Sequence, residues 1–502
     1  MGGPAGRPRR QEIGWGAGRS HDGGQRAMAV PGGTSEVAID SHGETTAAID
    51  RLFRPASIAL IGASRNPRKL GYVLLDNLQR SRFQGELFAV NPNADRILGL
   101  AVYESIAEVP VTPDLAILTV PQSAVRDVLN QCGEKGVRAV VIITAGFRET
   151  GPAGRAAEEE LVSLARRHGI RLVGPNSVGI INTAVGMNAT FAETAPLQYE
   201  VGMFSQSGAV ATAILDWARS INMGFSKFVS LGNMADLNEV DFVDYLGQDP
   251  DTKVIVGYLE GFTDGRAFFD VARRVTATKP LVLIKVGATS AGRRAASSHT
   301  GALATHQAVV DAALRQAGVV QARTMAELFD FVRCFSYAPL PKGSRVAVVT
   351  NAGGPAVMAA DAIERAGLLL APFSEETTRE LKRVLPEAGV ASNPMDLLGD
   401  AAADLYQTAL EIVRADPGVD SLLVLLTPQR VTEPERTARV IGFVAREQSK
   451  PVLAVYMGGE AVTRAREMLD WARVPVYAFP ERAVDALAAL VAYADYLRER
   501  DA

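Results

Sequence analysis

Short apolar runs alternate with longer amphipathic segments from about residue 49 to the end of the chain, and this alternation limits the possible folds more than any other feature. Clear examples of the short runs are SIALIGAS at 57–64, LAILTVP at 115–121 and AVVIITAG at 139–146. Runs that are apolar along their whole length are typical of strands buried on both faces, as in parallel sheets covered by helices. The sequence therefore predicts an α/β protein made of doubly wound parallel sheets.

The same alternation predicts three consecutive doubly wound domains, at residues 48–185, 186–338 and 344–502. Between the second and the third, PLPKG at 339–343 interrupts the pattern as a linker would. Residues 1–47 are rich in Gly, Arg, Ser and Ala and lack a hydrophobic period, so we predict a disordered leader there.

Charge, cysteine content and apolar run lengths narrow the class of protein. The formal net charge of -4 over 502 residues leaves no basic surplus for a nucleic-acid backbone, so nucleic acid is not an expected partner. Cys132 and Cys334 lie far apart, which indicates a reducing compartment rather than a disulfide framework. No apolar run approaches the roughly 20 residues that cross a bilayer, and His306 has no Cys or acidic companion at metal-ligand spacing. We expect a cytoplasmic enzyme or binding protein without a metal site or a membrane partner.

An anion site is predicted where the first strand ends. Gly62, Ala63 and Ser64 follow the strand and Gly71 opens the next helix, so main-chain amides and a helix N-terminus face the space beyond the strand. Lys69 is a candidate phosphate partner, although a solvated lysine is an equally good interpretation. The glycine spacing is not the GxGxxG pattern of dinucleotide-binding folds.

The ends of two further strands bear on the identity of that ligand. Asn91 stands where the ribose of a nicotinamide cofactor needs an acidic residue, which disfavours NAD. Val120 and Pro121 end another strand and are predicted to form the opposite lip of the crevice, although a proline there also commonly begins a helix. The favoured ligand is a phosphorylated nucleotide that is not a redox cofactor, and the alternative is a redox enzyme on a dinucleotide fold.

Three glycine-containing turns are candidate phosphate sites. Ser207 and Gly208 lie between a strand and a helix, where the glycine allows close approach of a ligand to the main chain. Ser207 has a second interpretation as a simple N-cap. Asn176, in GPNSVG, is placed to donate to an anion, and Gly353 and Gly354 repeat the strand, glycine and helix pattern in the third domain.

His299 lies in a loop crowded with Gly, Ala and Ser, where an imidazole is poorly placed for packing and well placed to meet a substrate. A surface histidine without a role is the competing interpretation. Glu260 ends a predicted strand, the position at which doubly wound folds place chemistry. If the two meet, the carboxylate of Glu260 accepts the proton of one ring nitrogen and leaves the other nitrogen of His299 free to attack.

Taken together, six stretches in order resemble the alpha subunit of ADP-forming acyl-CoA synthetases, the acetate-CoA ligases related to succinyl-CoA synthetase, over about residues 48–498. The motifs are GPNSVG (174–179), SQSGAVA (205–211), SLGNMADLNEVDFVDYL (230–246), YLEG (258–261), SSHTGALA (297–304) and TNAGGPAVMAAD (350–361). The resemblance implies a Rossmann-like CoA-binding domain followed by two flavodoxin-like domains, the first of them carrying a phosphohistidine loop.

The resemblance also implies a chemistry. The phosphorylated histidine would be His299 and its supporting carboxylate Glu260, with the helices after Ser207 and Gly208 and after Gly353 and Gly354 pointing their N-termini at the phosphoryl group. The implied reaction is acyl-CoA plus phosphate plus ADP giving carboxylic acid, CoA and ATP, through an acyl phosphate and a phosphohistidine.

The partners and the rival function follow from the same resemblance. No stretch resembles the ATP-grasp domains that bind ADP and Mg²⁺, so a separate beta subunit is expected to hold them, and the loop of His299 is expected to swing between two sites. The alternative is a module that senses CoA or acyl-CoA and has no ligase activity. The acid used stays open between acetate, longer or aromatic acids and dicarboxylates.

Overall fold

The computed structural model describes residues 37–193, 195–289, 291–292, 294, 307–447 and 449–502. The first described element is helix α1, Val37–Phe53. Residues 37–47 are therefore helical, where the sequence predicted a disordered leader that reached residue 47. Three apolar residues near the end of α1 are almost fully buried: Ile49, Leu52 and Phe53. Their burial stabilises the helix, whereas the polar, glycine-containing residues in its first part do not predict one.

The first sheet has seven strands in the order β3-β4-β2-β1-β5-β6-β7, and every neighbouring pair is parallel except β3 with β4. Its elements are β1 Ser57–Ile61, α2 Leu70–Arg80, β2 Glu86–Val90, β3 Arg96–Ile97, β4 Leu100–Tyr103, a 3-10 turn Ile106–Glu108, β5 Leu115–Leu118, α3 Gln122–Lys135, β6 Ala139–Ile142, a 3-10 turn Arg148–Thr150, α4 Pro152–His168 and β7 Arg171–Val173. Because β1 lies between β2 and β5, the crossover direction reverses at β1. A crevice opens at the carboxyl end of a sheet at such a point.

The second sheet also has seven strands, in the order β14-β13-β12-β10-β11-β8-β9. Its elements are β8 Gly179–Asn182, a 3-10 turn Thr183–Val185, β9 Met187–Thr190, β10 Leu197–Ser205, α5 Gly208–Ser220, β11 Gly224–Ser230, α6 Glu239–Gln248, β12 Val254–Leu259, α7 Gly265–Val275, β13 Leu281–Lys285, α8 Gln307–Gln316, β14 Val320–Ala322 and α9 Met325–Tyr337. The pairs formed among strands β10 to β14 are all parallel, whereas β8 runs antiparallel to both β11 and β9.

The sequence-predicted boundary between residues 185 and 186 falls inside the hairpin of β8 and β9. Both strands belong to the second sheet, so the chain changes sheets earlier, between Val173 and Gly179. The connection between the two sheets does not have the composition of a solvent-exposed linker, because the GPNSVG loop is packed, with Ser177 only 1% exposed.

The third sheet is parallel in the order β16-β15-β18-β19-β20, with β17 also paired to β15. Its elements are β15 Arg345–Thr350, α10 Gly353–Arg365, β16 Leu369–Leu370, α11 Glu375–Val384, β17 Met395–Asp396, α12 Ala403–Ala415, β18 Ser421–Leu426, α13 Pro434–Ala445, β19 Val452–Tyr456, α14 Glu460–Trp471, β20 Val476–Tyr477 and α15 Pro480–Asp501. These three sheets confirm the predicted α/β class with three successive doubly wound units.

Apolar clusters continue from one sheet to the next. Leu60 of β1 and Leu283 of β13 belong to one buried cluster, and Val256 of β12 and Val348 of β15 belong to another. Among the described residues, no helix combines the length and the apolar character needed to cross a membrane.

Candidate functional site

The crevice beside β1 depends on two glycines. Gly62 has a φ of +95°, and a Cβ there would lie 2.6 Å from Oγ1 of Thr119, in the segment that follows β5. A Cβ on Gly71 would lie 2.0 Å from the carbonyl oxygen of Gly62. Helix α2 therefore begins directly against the end of β1, which brings the amino end of the helix to the crevice.

The predicted lips of the crevice lie on both sides of that turn. Asn91 Nδ2 donates to the carbonyl oxygen of Ala63 at 2.6 Å, so this amide ties the end of β2 to the turn after β1. On the other side, the carbonyl oxygen of Val120 accepts from Thr144 Oγ1 at 2.7 Å. Pro121 is the N-cap residue of α3, which agrees with the interpretation that it begins a helix.

Two polar residues of the turn have different positions. Ser64 Oγ accepts from the main-chain N–H of Asn66 at 3.1 Å, so it shapes the loop. Lys69 is the N-cap residue of α2 and is exposed, so its ammonium group is accessible to solvent. The end of β1 thus offers main-chain amides and a helix N-terminus with an exposed lysine at its cap, which suits a phosphorylated ligand.

The second candidate site is the turn before α5. Ser207 is the N-cap residue of this helix, and its Oγ accepts from the N–H of Val210 at 3.4 Å. Ser205 Oγ accepts from the N–H of Ser207 at 3.2 Å and donates to the Ser207 carbonyl at 2.9 Å. A Cβ on Gly208 would lie 2.9 Å from Val178 Cγ2, so the GPNSVG loop packs against the first turn of α5.

Glu260 follows β12 directly and is partly buried. The main-chain N–H groups of Glu260 and Gly261 both donate to Gln206 Oε1, at 2.5 and 3.0 Å. Gln206 Nε2 in turn donates to the Gly261 carbonyl at 2.8 Å. Since Gln206 immediately precedes Ser207, these bonds join the main chain of Glu260 to the predicted anion turn in one hydrogen-bonded cluster.

A lysine also belongs to this cluster. Lys285, the last residue of β13, donates from Nζ to the carbonyl oxygens of Glu260 at 2.9 Å and of Val286 at 2.6 Å. Burial lowers the pKa of Lys285, and the charge of Glu260 acts in the opposite direction. Burial also raises the pKa of the nearby Tyr258 hydroxyl, and the charge of Glu260 adds to that shift.

The far end of the loop after β12 is held by Glu239, whose side chain is fully buried. Its carboxylate accepts from the N–H of Thr263 and, at 2.9 Å, from Thr263 Oγ1. Burial raises the pKa of Glu239, while the bonds from Thr263 act against that shift. The segment between residues 260 and 263 is therefore fixed at both ends.

Asn176 has a φ of +59° and is exposed. Its Nδ2 donates to Asn233 Oδ1 at 3.3 Å, which ties the GPNSVG loop to the SLGN loop of the second sheet. Asn233 Nδ2 in turn lies 2.6 Å from Glu149 Oε2 and 2.7 Å from Glu158 Oε2. Val178 in this loop packs against α5. Asn176 itself donates hydrogen bonds to Asn233 and, from its main-chain N–H, to the carbonyl of Thr144, so these bonds do not connect it to the Ser207 turn.

The turn before α10 repeats the construction of the turn before α5. Thr350 Oγ1 accepts from the N–H of Ala352 at 3.1 Å and donates to the Ala352 carbonyl at 3.2 Å. Asn351 accepts from the N–H of Thr427 at 2.9 Å and donates to the Thr427 carbonyl at 3.0 Å. Gly353 and Gly354 then open the helix, and among the described residues no atom lies within 4 Å of a Cβ built on Gly354.

Sequence reasoning missed Gln206 and Lys285. A signal for Gln206 was available, because an amide residue occupies the second position of both SQSG and TNAG. His299 lies outside the described residues. Among the residues that the structure describes, no group of three His, Cys, Asp or Glu side chains is arranged to hold a metal ion.

Three known domain families match the chain in order. The CoA binding domain matches residues 56–183, the succinyl-CoA ligase like flavodoxin domain matches residues 198–335 and the Ligase-CoA domain matches residues 346–499.

Similar proteins cover the chain almost completely. The alpha subunit of ADP-forming acetate-CoA ligase II of Pyrococcus furiosus is 43% identical over 88% of this chain and 97% of the relative. ADP-forming acetate-CoA ligase I of Archaeoglobus fulgidus is also 43% identical, over 89% of this chain but only 64% of the longer relative. Among solved structures, an acetyl-coenzyme A synthetase of Candidatus Korarchaeum cryptofilum in complex with phosphate and ADP matches with a TM-score of 0.87 and 39% identity. That match covers 90% of this chain and 99% of the other.

Proposed function

Since the chain belongs to the family of ADP-forming acetate-CoA ligase alpha subunits, we propose that it converts an acyl-CoA, phosphate and ADP reversibly into the carboxylic acid, CoA and ATP. The observation that carries the proposal is the hydrogen-bonded cluster in which Gln206 joins Glu260 to the Ser207 turn at the amino end of α5. A carboxylate and a helix N-terminus held together suit a phosphorylated imidazole, because the first orients the ring and the second attracts the phosphoryl oxygens.

The reaction has three steps. A phosphate oxygen attacks the thioester carbonyl, the C–S bond breaks, and CoA leaves with an acyl phosphate remaining. A ring nitrogen of His299 then attacks the phosphorus, the P–O bond to the acyl group breaks, and the carboxylate leaves. Finally the terminal oxygen of ADP takes the phosphoryl group from His299. Fixed donors carry most of this chemistry, because the phosphoryl oxygens stay charged throughout.

The residues would divide the work as follows. Glu260 would accept the N–H of the second ring nitrogen of His299 and so fix its tautomer. The turns at Ser207 and Gly208, and at Gly353 and Gly354, would hold the phosphoryl oxygens at the amino ends of α5 and α10. Asn176 would contribute from the loop that packs against α5.

CoA would lie in the crevice beside β1. The close approaches at Gly62 and Gly71 bring the amino end of α2 against the end of β1, and Lys69 is exposed at that end, so a phosphate of CoA would bind there. Ala63, Ser64, Asn91, Val120 and Pro121 would form the walls. The unit at residues 48–185 would thus bind CoA, the unit at 186–338 would carry the phosphohistidine, and the unit at 344–502 would supply the second helix N-terminus.

ADP and Mg²⁺ would be held by an ATP-grasp portion. The relatives include alpha subunits, of which this chain spans 97%, and longer single-chain ligases, of which it spans 62 to 64%. We propose a separate beta subunit in a hetero-oligomer, as in the first kind, and a cytoplasmic location consistent with soluble substrates.

Phosphate labelling tests the proposal. The full chain, incubated with acetyl-CoA and [³²P]phosphate, is expected to acquire a label that is acid-labile and base-stable, and the His299→Asn variant is expected to acquire none. A label of the same stability in His299→Asn would overturn the assignment. CoA binding without any label in the wild type would instead favour the sensing module. Release of CoA from a panel of acyl-CoAs, beginning with acetyl-CoA, would identify the acid.

A further inference from the structure

Two side chains hold the main chain of Glu260 and Gly261. The N–H groups of both residues donate to Gln206 Oε1, and the Gly261 carbonyl accepts from Gln206 Nε2. The carbonyl of Glu260 accepts from Lys285 Nζ. Every main-chain polar group of this dipeptide is therefore bound by a side chain from a neighbouring strand end.

The two side chains connect this dipeptide to different parts of the site. Gln206 directly precedes the Ser207 turn at the start of α5, and its own N–H donates to the carbonyl of Tyr258 at 3.1 Å. Lys285 pairs with Leu259 in the register of β12 and β13 and is the last residue of β13. Any change in either side chain would therefore shift the carboxylate relative to the turn.

A half-buried lysine at the end of β13 is not explained by packing alone. Burying an ammonium group costs free energy that its two bonds to carbonyl oxygens only partly offset. Lys279, just before the other end of the same strand, is also half-buried and also donates to two carbonyl oxygens, those of Leu246 at 3.1 Å and Asp249 at 2.6 Å. Lys279 thus makes the same kind of contact near the amino end of β13, whereas Glu260 lies near its carboxyl end.

We propose that Gln206 and Lys285 are positioning residues, which fix the carboxylate of Glu260 for the phosphorylation of His299 by holding the Glu260–Gly261 main chain. The proposal rests on the proposed function, since it assigns these side chains a part in that reaction. Misplacement of a reacting group by about 1 Å costs roughly 100-fold in rate, so a shift of the dipeptide is expected to be visible in kinetics.

The first experiment compares Lys285→Met with Lys279→Met. Each variant loses two bonds to carbonyl oxygens from a half-buried site, so the two are expected to lose similar free energy of unfolding. Only Lys285→Met is expected to slow labelling by acetyl-CoA and [³²P]phosphate, by roughly 10- to 100-fold, with the affinity for CoA unchanged. Equal slowing in both variants would show a merely structural role and overturn the proposal.

The second experiment asks whether the effect passes through the carboxylate. Lys285→Met and Gln206→Met are each combined with Glu260→Gln. If both residues act by placing Glu260, they slow labelling in the wild type and have little further effect in the Glu260→Gln background. Full additivity of the rate losses would show that they act independently of Glu260 and overturn the proposal.

The two proposals fail in distinguishable ways. If the wild type acquires no acid-labile label, or His299→Asn acquires the same label, the proposed function is wrong. If the wild type labels at His299 while Gln206→Met and Lys285→Met label at the wild-type rate, only the positioning role is wrong.

Discussion

Gln206 Oε1 accepts a hydrogen bond from the main-chain N–H of Glu260, with 2.5 Å between the two atoms. The third sheet contains the corresponding pair, because Asn351 Oδ1 accepts from the N–H of Thr427 at 2.9 Å. In both places an amide side chain joins the turn before a helix to the end of the next strand in the sheet. The second and third units thus share a local construction in which Thr427 stands at the position of Glu260.

Replacement of that carboxylate tests its chemical role. Glu260→Gln keeps the side-chain shape and all main-chain bonds of residue 260, so the free energy of unfolding is expected to change little. The amide cannot accept the imidazole N–H as a carboxylate does, so phosphorylation of His299 is expected to slow by roughly 100-fold or more. Labelling time courses beside thermal melts measure both. Unchanged labelling kinetics would remove Glu260 from the mechanism.

The turns between strand ends and helix starts were predictable from the sequence because their signals are local. An apolar strand followed by Gly62, or by Ser207 and Gly208, places main-chain amides at a strand end whatever the rest of the chain does. The carboxyl end of β12 likewise follows from the apolar run that precedes Glu260. The part of helix α1 at residues 37–47 was not predicted, because Leu52 and Phe53, whose burial stabilises the helix, come after those residues in the sequence.

The contacts around Glu260 were not predictable, since they join residues distant in sequence. Gln206 and Glu260 are 54 positions apart, and Lys285 lies 25 positions beyond Glu260. Which strands become neighbours depends on the packing of the whole sheet, and a single sequence gives no local signal for it. The hairpin of β8 and β9 was divided for the same reason, because β8 pairs with β11, where Asn182 lies opposite Lys227.

The crevice predicts a contrast between two glycine substitutions. Gly62 and Gly99 both have left-handed φ values, +95° and +83°, so an alanine is strained by about 1 kcal/mol at either position. A Cβ at Gly62 would also meet Thr119 Oγ1 at 2.6 Å, whereas among the described residues no atom lies within 4 Å of one at Gly99. Calorimetric titration with CoA is expected to show at least roughly tenfold weaker binding in Gly62→Ala and unchanged binding in Gly99→Ala. Equal affinities would exclude the crevice as the CoA site.

A buried ion pair in the second unit predicts a large loss of stability. Lys227 is fully buried and lies 2.7 Å from both carboxylate oxygens of Asp249, whose side chain is 1% exposed. Lys227→Met removes the ammonium group that contacts both oxygens of that carboxylate and leaves the longer ion pair with Arg54 at 3.3 Å, so the free energy of unfolding is expected to fall by about 3 kcal/mol.

The matched control for that variant is Lys253→Met. Lys253 is 67% exposed and pairs with Glu200, and surface pairs of this kind contribute less than about 1 kcal/mol. Denaturant unfolding of both variants measures the difference. Similar losses in the two would show that the buried pair contributes no more than a surface pair.

Asp470, at the end of α14, predicts how stability depends on pH. Burial raises the pKa of its carboxyl group to about 6, against an ordinary value of 3.8, and Arg333 Nε at 3.7 Å is too far away for a hydrogen bond. The folded state therefore binds this proton more tightly than the unfolded state, and the group's contribution to stability is complete below about pH 4. That contribution is lost as the pH rises to about 6 and stays lost above it.

Asp470→Asn removes this titration. Arg333 keeps its bonds to the carbonyls of Val476 at 2.9 Å and Ile221 at 3.3 Å, so the variant is expected to be more stable than the wild type at pH 7.5, by about 3 kcal/mol. At pH 4.5 the difference is expected to shrink towards zero, because the wild-type carboxyl group is then mostly protonated. Asp127→Asn, at a side chain 75% exposed, serves as the control and is expected to change stability little at either pH. Urea unfolding of the three proteins at both pH values checks the sign, and a variant less stable than the wild type at pH 7.5 would contradict it.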